Sequence, residues 1–453
     1  MWIPKPGKLE KRPLGIPTVI DRAAQAAYLL AVDPVVEEES DQNSYGFRNF
    51  RSAHDAVTRV RTLLDKRTSP EWVLDADISK CFDRIDHNFL MENTTICDKT
   101  MLEQWLKSGI MEGGVYSDTT MGTPQGGVIS PTLCNVALNG LEKAAKGSTG
   151  RSKYNPRVHL TRYADDFVCT AATREILETE VKPALENFLM GRGLEFSEGK
   201  TRIANIHDGF DFLGFTFKRE KWNPKLNGKT RRGNTQPTTL TVKPERKKIQ
   251  GLKKKIRLEF QKKLPLDRLI KSLNPLLRGW SEYFRVSTHP RKLLTSIGNF
   301  LWMKMWSRIR RTHPRRRVSW IVEKYVARVR GWKWSFASMK GSKLFNIKAV
   351  TRLNIPFLKL GVNPYTEEGR RYYEKRRDDR KRILPPSTLA VYNRHNHTCT
   401  ICGESLHNGE PVELHHIVPR RWGGGWTLDN IQPLHKTCHA SVTYKGSQQG
   451  PAE

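Results

Sequence analysis

Two spacings of apolar residues alternate along the first half of the chain. Runs of strand type, Trp72 to Ile78 and Leu160 to Thr170, lie between segments of helical spacing, with Gly and Pro as punctuation up to about residue 217. This alternation predicts an α/β or α+β body. Lys221 to Thr239, rich in Lys, Arg, Asn, Gly and Thr, reads as a loop. Beyond it Ile249, Leu252, Ile256 and Phe260 recur at helical spacing among lysines. Leu293, Ile297, Phe300 and Leu301 continue the pattern, so a second, mostly helical domain is expected to about Leu360. Within it, Leu273-Asn-Pro-Leu-Leu-Arg-Gly-Trp280 reads as a Pro/Gly-punctuated turn, followed by aromatics at the spacing of a buried helix face: Trp280, Tyr283 and Phe284. The pattern breaks near His313-Pro314, because proline disfavours helix in the residue before it. Glu367 to Arg382 reads as a charge-dense linker ending at Pro385-Pro386, and a Cys-, His- and Gly-rich module begins near Ser387. No apolar run approaches the roughly 18 residues of a membrane span; the Gln-interrupted Ala23 to Val32 comes nearest.

Composition narrows the class. A chain of 453 residues with 37% apolar and 27% charged residues and 12 Trp, 12 Tyr and 17 Phe is neither collagen-like nor wholly disordered. It has length for several cores at roughly 150 residues per domain. Seven cysteines are too few for a disulfide scaffold, and the N-terminus lacks the apolar core of a secretory signal, so a reducing, cytoplasmic compartment is expected. The formal charge of +32 is uneven: 17 basic and 3 acidic residues fall between Lys218 and Lys263, and 11 and 1 between Lys304 and Lys333. A merely solvated helix face mixes both signs. One-signed charge interleaved with Trp and Phe suits phosphate neutralisation and base stacking, so nucleic acid is the expected partner.

Two constellations carry chemistry. In Trp72-Val-Leu-Asp-Ala-Asp-Ile-Ser-Lys-Cys-Phe82, strand periodicity puts Asp75 and Asp77 on one face. In Arg162-Tyr-Ala-Asp-Asp-Phe-Val-Cys169, adjacent strand residues face opposite ways, so Asp165 and Asp166 can share one site only if the chain turns tightly there. Two aspartates from such a hairpin and one from a neighbouring strand could hold two Mg²⁺ ions for nucleotidyl transfer. Farther on, Cys399-Thr-Ile-Cys402 and His435-Lys-Thr-Cys438 supply four ligands for a structural, tetrahedral Zn²⁺. Cys81, Cys97, Cys134 and Cys169 are scattered and read as buried thiols.

Tyr163-Ala-Asp-Asp166, with Asp77 followed five positions later by Phe82, resembles a reverse transcriptase palm. Arg12-Pro-Leu-Gly-Ile-Pro-Thr18 with Asp21-Arg22 and Gln25, Gly122-Thr-Pro-Gln-Gly-Gly127 with Ser130-Pro131, and Phe212-Leu-Gly-Phe215 resemble, in the same order, the group II intron-encoded reverse transcriptases. The resemblance runs from about Pro4 to the C-terminal module and implies a multidomain α+β protein. It would have a right-hand polymerase with fingers and palm over 1–217, a basic α-helical thumb and maturase domain over 218–300, and a DNA-binding region and linker over 301–386. A small zinc-supported ββα-metal HNH module would occupy 387–453. The family usually has a further N-terminal segment before Ile3-Pro-Lys5, so part of the fingers is expected to be missing here.

Carried over residue by residue, the resemblance implies that Asp77, Asp165 and Asp166 hold the catalytic Mg²⁺ and that Phe82 lies beneath the incoming sugar and favours deoxynucleotides. Pro124, Gln125 and Gly126 would line the nucleotide site, with Lys5 and Arg12 on the triphosphate and Lys200 protonating pyrophosphate. Leu213 and Gly214 would hold the primer. Leu273 to Trp280 resembles the maturase segment, where Arg278 is an RNA-contact candidate. The histidines outside the zinc set resemble an HNH nuclease. His416 would deprotonate water, Asn430 would orient its ring, and His415 with His439 would hold one divalent ion, Mg²⁺ or Mn²⁺, with the roles of His415 and His416 interchangeable. Implied partners are the parent intron RNA, target DNA and deoxynucleoside triphosphates, with monomer and homodimer both open. The rivals, a splicing-only maturase and a reverse transcriptase of another retroelement or defence system, are disfavoured by the intact acidic site and by the pairing of the maturase segment with an HNH tail.

Overall fold

The computed structural model describes residues 2–4, 11–13, 15–66, 68–96, 98–112, 115–124, 126–147, 157–221, 238–329, 332–339, 342–381, 386–403, 406, 412–435 and 438–439. Lys5, Cys97, Gln125, the side chain of Arg12 and nearly all of the Lys221 to Thr239 loop lie outside the described residues. The chain forms two compact units, Met1–Gly361 and Val362–Glu453.

The first unit is built on an antiparallel sheet in the order His159–Tyr163, Asp166–Ala171, Trp72–Asp77, Arg202–Asn205. Leu74 and Ala76 alternate with Asp75 and Asp77, as the strand period requires. The apolar pair joins Phe167, Cys169 and Ala171 in a core with Leu133, Ala137 and Leu138 of the helix Ser130–Leu138 and with Leu185 and Leu189 of the helix Lys182–Met190. A second antiparallel sheet joins Phe210–Phe212, Phe215–Lys221 and Thr238–Pro244, with Phe210, Phe212, Phe215 and Phe217 buried. Its first turn, Leu213-Gly214, has φ of +50° and +80°, so the second position suits glycine.

Three long helices follow: Arg246–Gln261, Leu266–Phe284 and Pro290–Thr312. Leu252 and Ile256, Leu269, Leu273 and Leu277, and Leu294, Ile297, Leu301 and Met305 close one core among them. The third helix ends at Thr312, where the His313-Pro314 break is expected. Two sequence readings need correction. Leu273 to Trp280 is no turn: Leu266–Phe284 passes through Pro275 and Gly279 as one helix. The buried stripe from Leu269 to Phe284 outweighs the one backbone hydrogen bond that proline removes. A boundary at residue 300 would cut Pro290–Thr312, whose residues on both sides pack into that core.

In the second unit the charge-dense segment is a helix, Glu367–Lys381, and not an extended linker; the compact unit takes it in, starting at Val362. Glu367 and Glu368 favour the positive helix start, Glu367 pairs with Arg371 one turn on, and Tyr373 is buried with its hydroxyl on the Val362 carbonyl at 3.3 Å. The hairpin Val412–His416 with Ile431–His435 lies next to the helix Pro386–Arg394 in sequence order and packs a small core of Tyr392, Cys399 and Leu434.

Leu277→Ala is expected to destabilise the helical core by about 2–5 kcal/mol, the range for truncating a buried leucine. A shift in the urea midpoint of the full chain checks this.

Candidate functional site

The acidic cluster is made by a two-residue turn. Tyr163 pairs with Asp166 across the hairpin, leaving Ala164 and Asp165 at the tip, while Asp77 pairs with Asp166 on the other side. Ala164 takes a left-handed φ of +59°, which costs an alanine roughly 1–2 kcal/mol. The strand edge beside it holds the turn in place. Arg162 donates its N–H to the Asn43 carbonyl at 2.9 Å and accepts from the Tyr45 N–H at 2.9 Å. The Arg162 guanidinium is fully buried, donating to Asn135 Oδ1 at 3.0 Å and to the Ala164 carbonyl at 3.3 Å. Asn135 in turn donates to the Gly46 carbonyl at 3.1 Å. A Cβ on Gly46 would stand 2.3 Å from the Ala164 nitrogen, so only glycine lets this segment reach the turn.

The carboxylates strain against one another. Burial, then Asp75, Asp77 and Asp165, push Asp166 up to about 8, while the Leu213 N–H on its carboxylate opposes them. Burial likewise pushes Asp75 up to about 6 despite Arg202, whose Nε lies 3.1 Å from it. Lys200 is on the Asp77 carboxylate. An all-oxygen donor set of carboxylates crowded in this way fits Mg²⁺. Among the described residues, the three aspartates are not gathered within the spacing that the Cys/His group below reaches.

The other expected residues gather around this turn. Phe82 sits in the short helix Cys81–Arg84, half-buried and edge-on to Phe47 at 5.9 Å between centroids. The Thr123 N–H donates to the Phe82 carbonyl at 2.6 Å, and the Pro124 carbonyl accepts from the Gly127 N–H and the Ser130 hydroxyl, which ties the Pro124 and Gly126 segment to Phe82. Leu213 and Gly214 border a cleft of about 600 Å³ with Asp166, Trp280 and Tyr283. Of the three aromatics read as core, Phe284 is buried, while Trp280 and Tyr283 are half-buried and line this cleft. Tyr283 donates its hydroxyl to the Leu213 carbonyl at 2.9 Å. Arg278 is exposed, its guanidinium 5.5 Å from the Phe345 ring. Sequence reasoning missed Gly46, Asn135, Arg162 and Tyr283. A charged residue inside a strand-like run was the one available signal, and it pointed only to Arg162.

In the second unit, ligand atoms of Cys399, Cys402, His435 and Cys438 all lie within 4.8 Å of one another. Cys402 Sγ is 3.3 Å from His435 Nδ1. Burial raises the Cys399 thiol, but the backbone N–H groups of Cys402, His435 and Ile401 outweigh it and hold the thiol down at about 6. Three sulfurs and an imidazole at tetrahedral spacing fit Zn²⁺. On the hairpin, the His415 ring lies 5.0 Å from that of His439, whose Nδ1 is 2.6 Å from Glu413. The His416 ring instead stands edge-on to Trp426 at 4.7 Å, with Nε2 buried and unpartnered. The two adjacent histidines therefore have different neighbours. Glu413, two residues before His415 on the same strand face, was missed. The expected role of Asn430 is corrected: its amide accepts from the Val418 N–H at 2.7 Å and donates to the Val418 and Gly425 carbonyls, so it pins the loop and not the His416 ring.

A half-buried double-aspartate turn at the end of the sheet strands, with Trp280 and Tyr283 of the helical domain on the cleft that Asp166 lines, is an arrangement that fits a reverse transcriptase. Residues 3–217 match the reverse transcriptase (RNA-dependent DNA polymerase) family, 249–326 the group II intron maturase-specific domain and 399–445 the HNH endonuclease family. The chain thus carries, in this order, matches to a reverse transcriptase, a group II intron maturase-specific domain and an HNH endonuclease. It is 36% identical to protein YkfC of Escherichia coli, over 49% of this chain and 66% of that one. It is 27% identical to the group II intron-encoded protein LtrA of Lactococcus lactis, over 65% and 61%. It is 24% identical to a putative COX1/OXI3 intron 1 protein of Saccharomyces cerevisiae, over 96% and 61%. The chain thus spans somewhat under two thirds of the length of these curated relatives. An apo telomerase from Candida tropicalis aligns over 43% of each chain at 19% identity with a TM-score of 0.33, too low to bear on the fold.

Two outcomes are expected. Arg162→Met, which leaves Asn135 Oδ1 and the Ala164 carbonyl unsatisfied, should lower stability by about 1–3 kcal/mol in urea denaturation. Cys399→Ser should lose bound zinc by elemental analysis and expose the second unit to proteolysis, since a small metal-stapled module draws much of its stability from the metal.

Proposed function

We propose that this chain is a multifunctional intron protein: an RNA-directed DNA polymerase, a maturase for its parent intron RNA, and an HNH DNA endonuclease. It would act in intron mobility by nicking target DNA and priming reverse transcription at the nick. The turn that sets Asp165 and the half-buried Asp166 beside Asp77 carries this reading, because a structural role alone gives no reason to crowd carboxylates against one another. A splicing-only protein would have no use for that arrangement.

Asp77, Asp165 and Asp166 would hold two Mg²⁺ ions, which supply a polarised primer 3′-hydroxyl and charge neutralisation of the leaving pyrophosphate. The chain's own residues do the rest. Lys200, which pairs with Asp77, would hand a proton to the leaving pyrophosphate. Phe82, stiffened by Phe47 and by the strand of backbone bonds through Thr123, gives a fixed surface beneath the sugar that favours deoxynucleotides. Pro124 and Gly126 would line the nucleotide; Gln125 beside them, and Lys5 and Arg12 on the triphosphate, are the roles that the resemblance implies. Leu213 and Gly214, braced by Tyr283, present backbone to the primer end. Arg278 and the lysines of Arg246–Gln261 face intron RNA.

In the second unit, Cys399, Cys402, His435 and Cys438 would hold structural Zn²⁺. His415 and His439, with Glu413, would hold Mg²⁺ or Mn²⁺ against the scissile phosphate. His416, with its unpartnered Nε2, is the base that takes a proton from water. Asn430 fixes the loop that carries this histidine's neighbours. No helix among the described residues is long and apolar enough to cross a membrane.

Asp165→Ala should abolish primer extension on an RNA template and leave RNA binding and DNA nicking in place. His416→Ala should do the reverse, removing nicking while keeping zinc and primer extension. Primer extension, filter binding and a nicking assay on both proteins check the pattern; undiminished extension by Asp165→Ala would refute the palm assignment.

A further inference from the structure

Where the second sheet meets the start of the third long helix, a cavity of about 460 Å³ opens between the strands Phe215–Lys221 and Thr238–Pro244 and the first turn of Pro290–Thr312. It shares no lining residue with the acidic cleft. Its polar wall is cationic: Lys221, Lys243, Arg246 and Lys292 face one carboxylate, Glu220, and that carboxylate is held by Lys243 at 2.7 and 2.8 Å. The remaining charge is not compensated from the helix. Pro290–Thr312 begins without a side-chain cap and without an acid in its first turn, so Arg291 and Lys292 stand at its positive end, where cations are disfavoured. His289, the residue at the cap, has Nε2 buried without a hydrogen-bond partner. Burial, then Arg352, Lys243 and Lys292, hold this imidazole below its usual range, which reports the same positive field. The opposite wall is apolar, from Pro244, Ile249 and Leu293.

Arg246, Lys292 and the unsatisfied imidazole nitrogen of His289 outnumber the one carboxylate of the lining, Glu220, which Lys243 already engages. An anion with several acceptor oxygens and a flat apolar part fits these cations, this nitrogen and the apolar wall, and the volume suits a ligand of that size. We propose that this cavity binds one nucleotide unit, its phosphate on Arg246, Lys292 and the Nε2–H of His289 and its base against Ile249 and Leu293. The unit comes either from a free nucleoside phosphate or from a strand lying on the adjoining groove. There Lys292 also serves as a wall, and Lys253, Arg257 and Lys304 stand 5.3 to 6.0 Å from the Phe300 ring. Because the cavity joins the sheet that carries Leu213-Gly214 to the helical domain, its occupant ties the two together. None of this depends on the polymerase or nuclease assignments.

The test is photolabelling of the full chain with azidoadenosine monophosphate, the adducts being mapped by mass spectrometry, beside azidoadenosine without the phosphate. Labelling is expected on the peptides containing Ile249 or Leu293, to require the phosphate, and to fall by at least about tenfold in Lys292→Glu, equivalent to roughly 1.4 kcal/mol of binding. His289→Ala should weaken it as well, and both proteins should keep wild-type circular dichroism. Equal labelling by the phosphate-free probe, adducts confined to other peptides, or undiminished labelling in both variants would overturn the proposal. Competition assigns the source: protection by adenosine monophosphate supports a free nucleotide, and protection only by a short oligoribonucleotide supports a bound strand.

Discussion

Asp166 is a carboxylate held inside the protein with three others around it, and this repulsion is the constraint that the first unit is organised to withstand. Left alone, such a turn would relax toward solvent. It cannot, because the antiparallel pairing on both sides fixes its Cα, the Leu213 N–H grips its side chain, and the buried Arg162, itself held by Asn135, donates to the Ala164 carbonyl. Gly46 completes the lock by admitting backbone where any side chain would collide. A cluster of carboxylate oxygens held together in this way is a donor set that suits a hard divalent cation.

The helical domain is connected to that turn through few bonds. Tyr283, near the end of Leu266–Phe284, donates to the Leu213 carbonyl, and the Glu245 N–H, at the start of the first long helix, donates to the Gly214 carbonyl. A shift of the helices would therefore be felt at the backbone that touches Asp166. The basic residues lie on the outer faces of these helices while Leu252, Leu273, Leu277 and Ile297 fill the inside. The domain can thus be strongly cationic without weakening its core, because the like charges are solvated and spread along long helices.

The second unit solves a different problem, a core too small to fold unaided. Among the described residues its core is Tyr392, Cys399, Leu406 and Leu434, and a metal on the Cys/His group would add cohesion to it. Its strand alternation then separates two tasks. Glu413 and His415 gather with His439, whereas His416 stands against Trp426 beside a loop that Asn430 staples with three hydrogen bonds. A side chain that reads as catalytic by motif is here spent entirely on backbone.

Much was legible in the sequence because it rests on local rules. Strand period placed Asp75 and Asp77 together, the need for two adjacent aspartates to share a site required the hairpin at Ala164-Asp165, helical spacing marked the long helices, and Cys-x-x-Cys spacing located the zinc group. What local rules could not decide was set by contacts between distant segments. Pro275 and Gly279 signal a turn, yet the apolar stripe packed against two other helices keeps the helix unbroken. Glu367–Lys381 looks like a linker until Tyr373 finds the Val362 carbonyl. Arg162, Asn135 and Gly46 carry no local signature, since their role exists only where segments about 90 and 120 residues apart in sequence meet under one turn. Periodicity fixes which face a residue takes, whereas only the tertiary structure decides what that face meets.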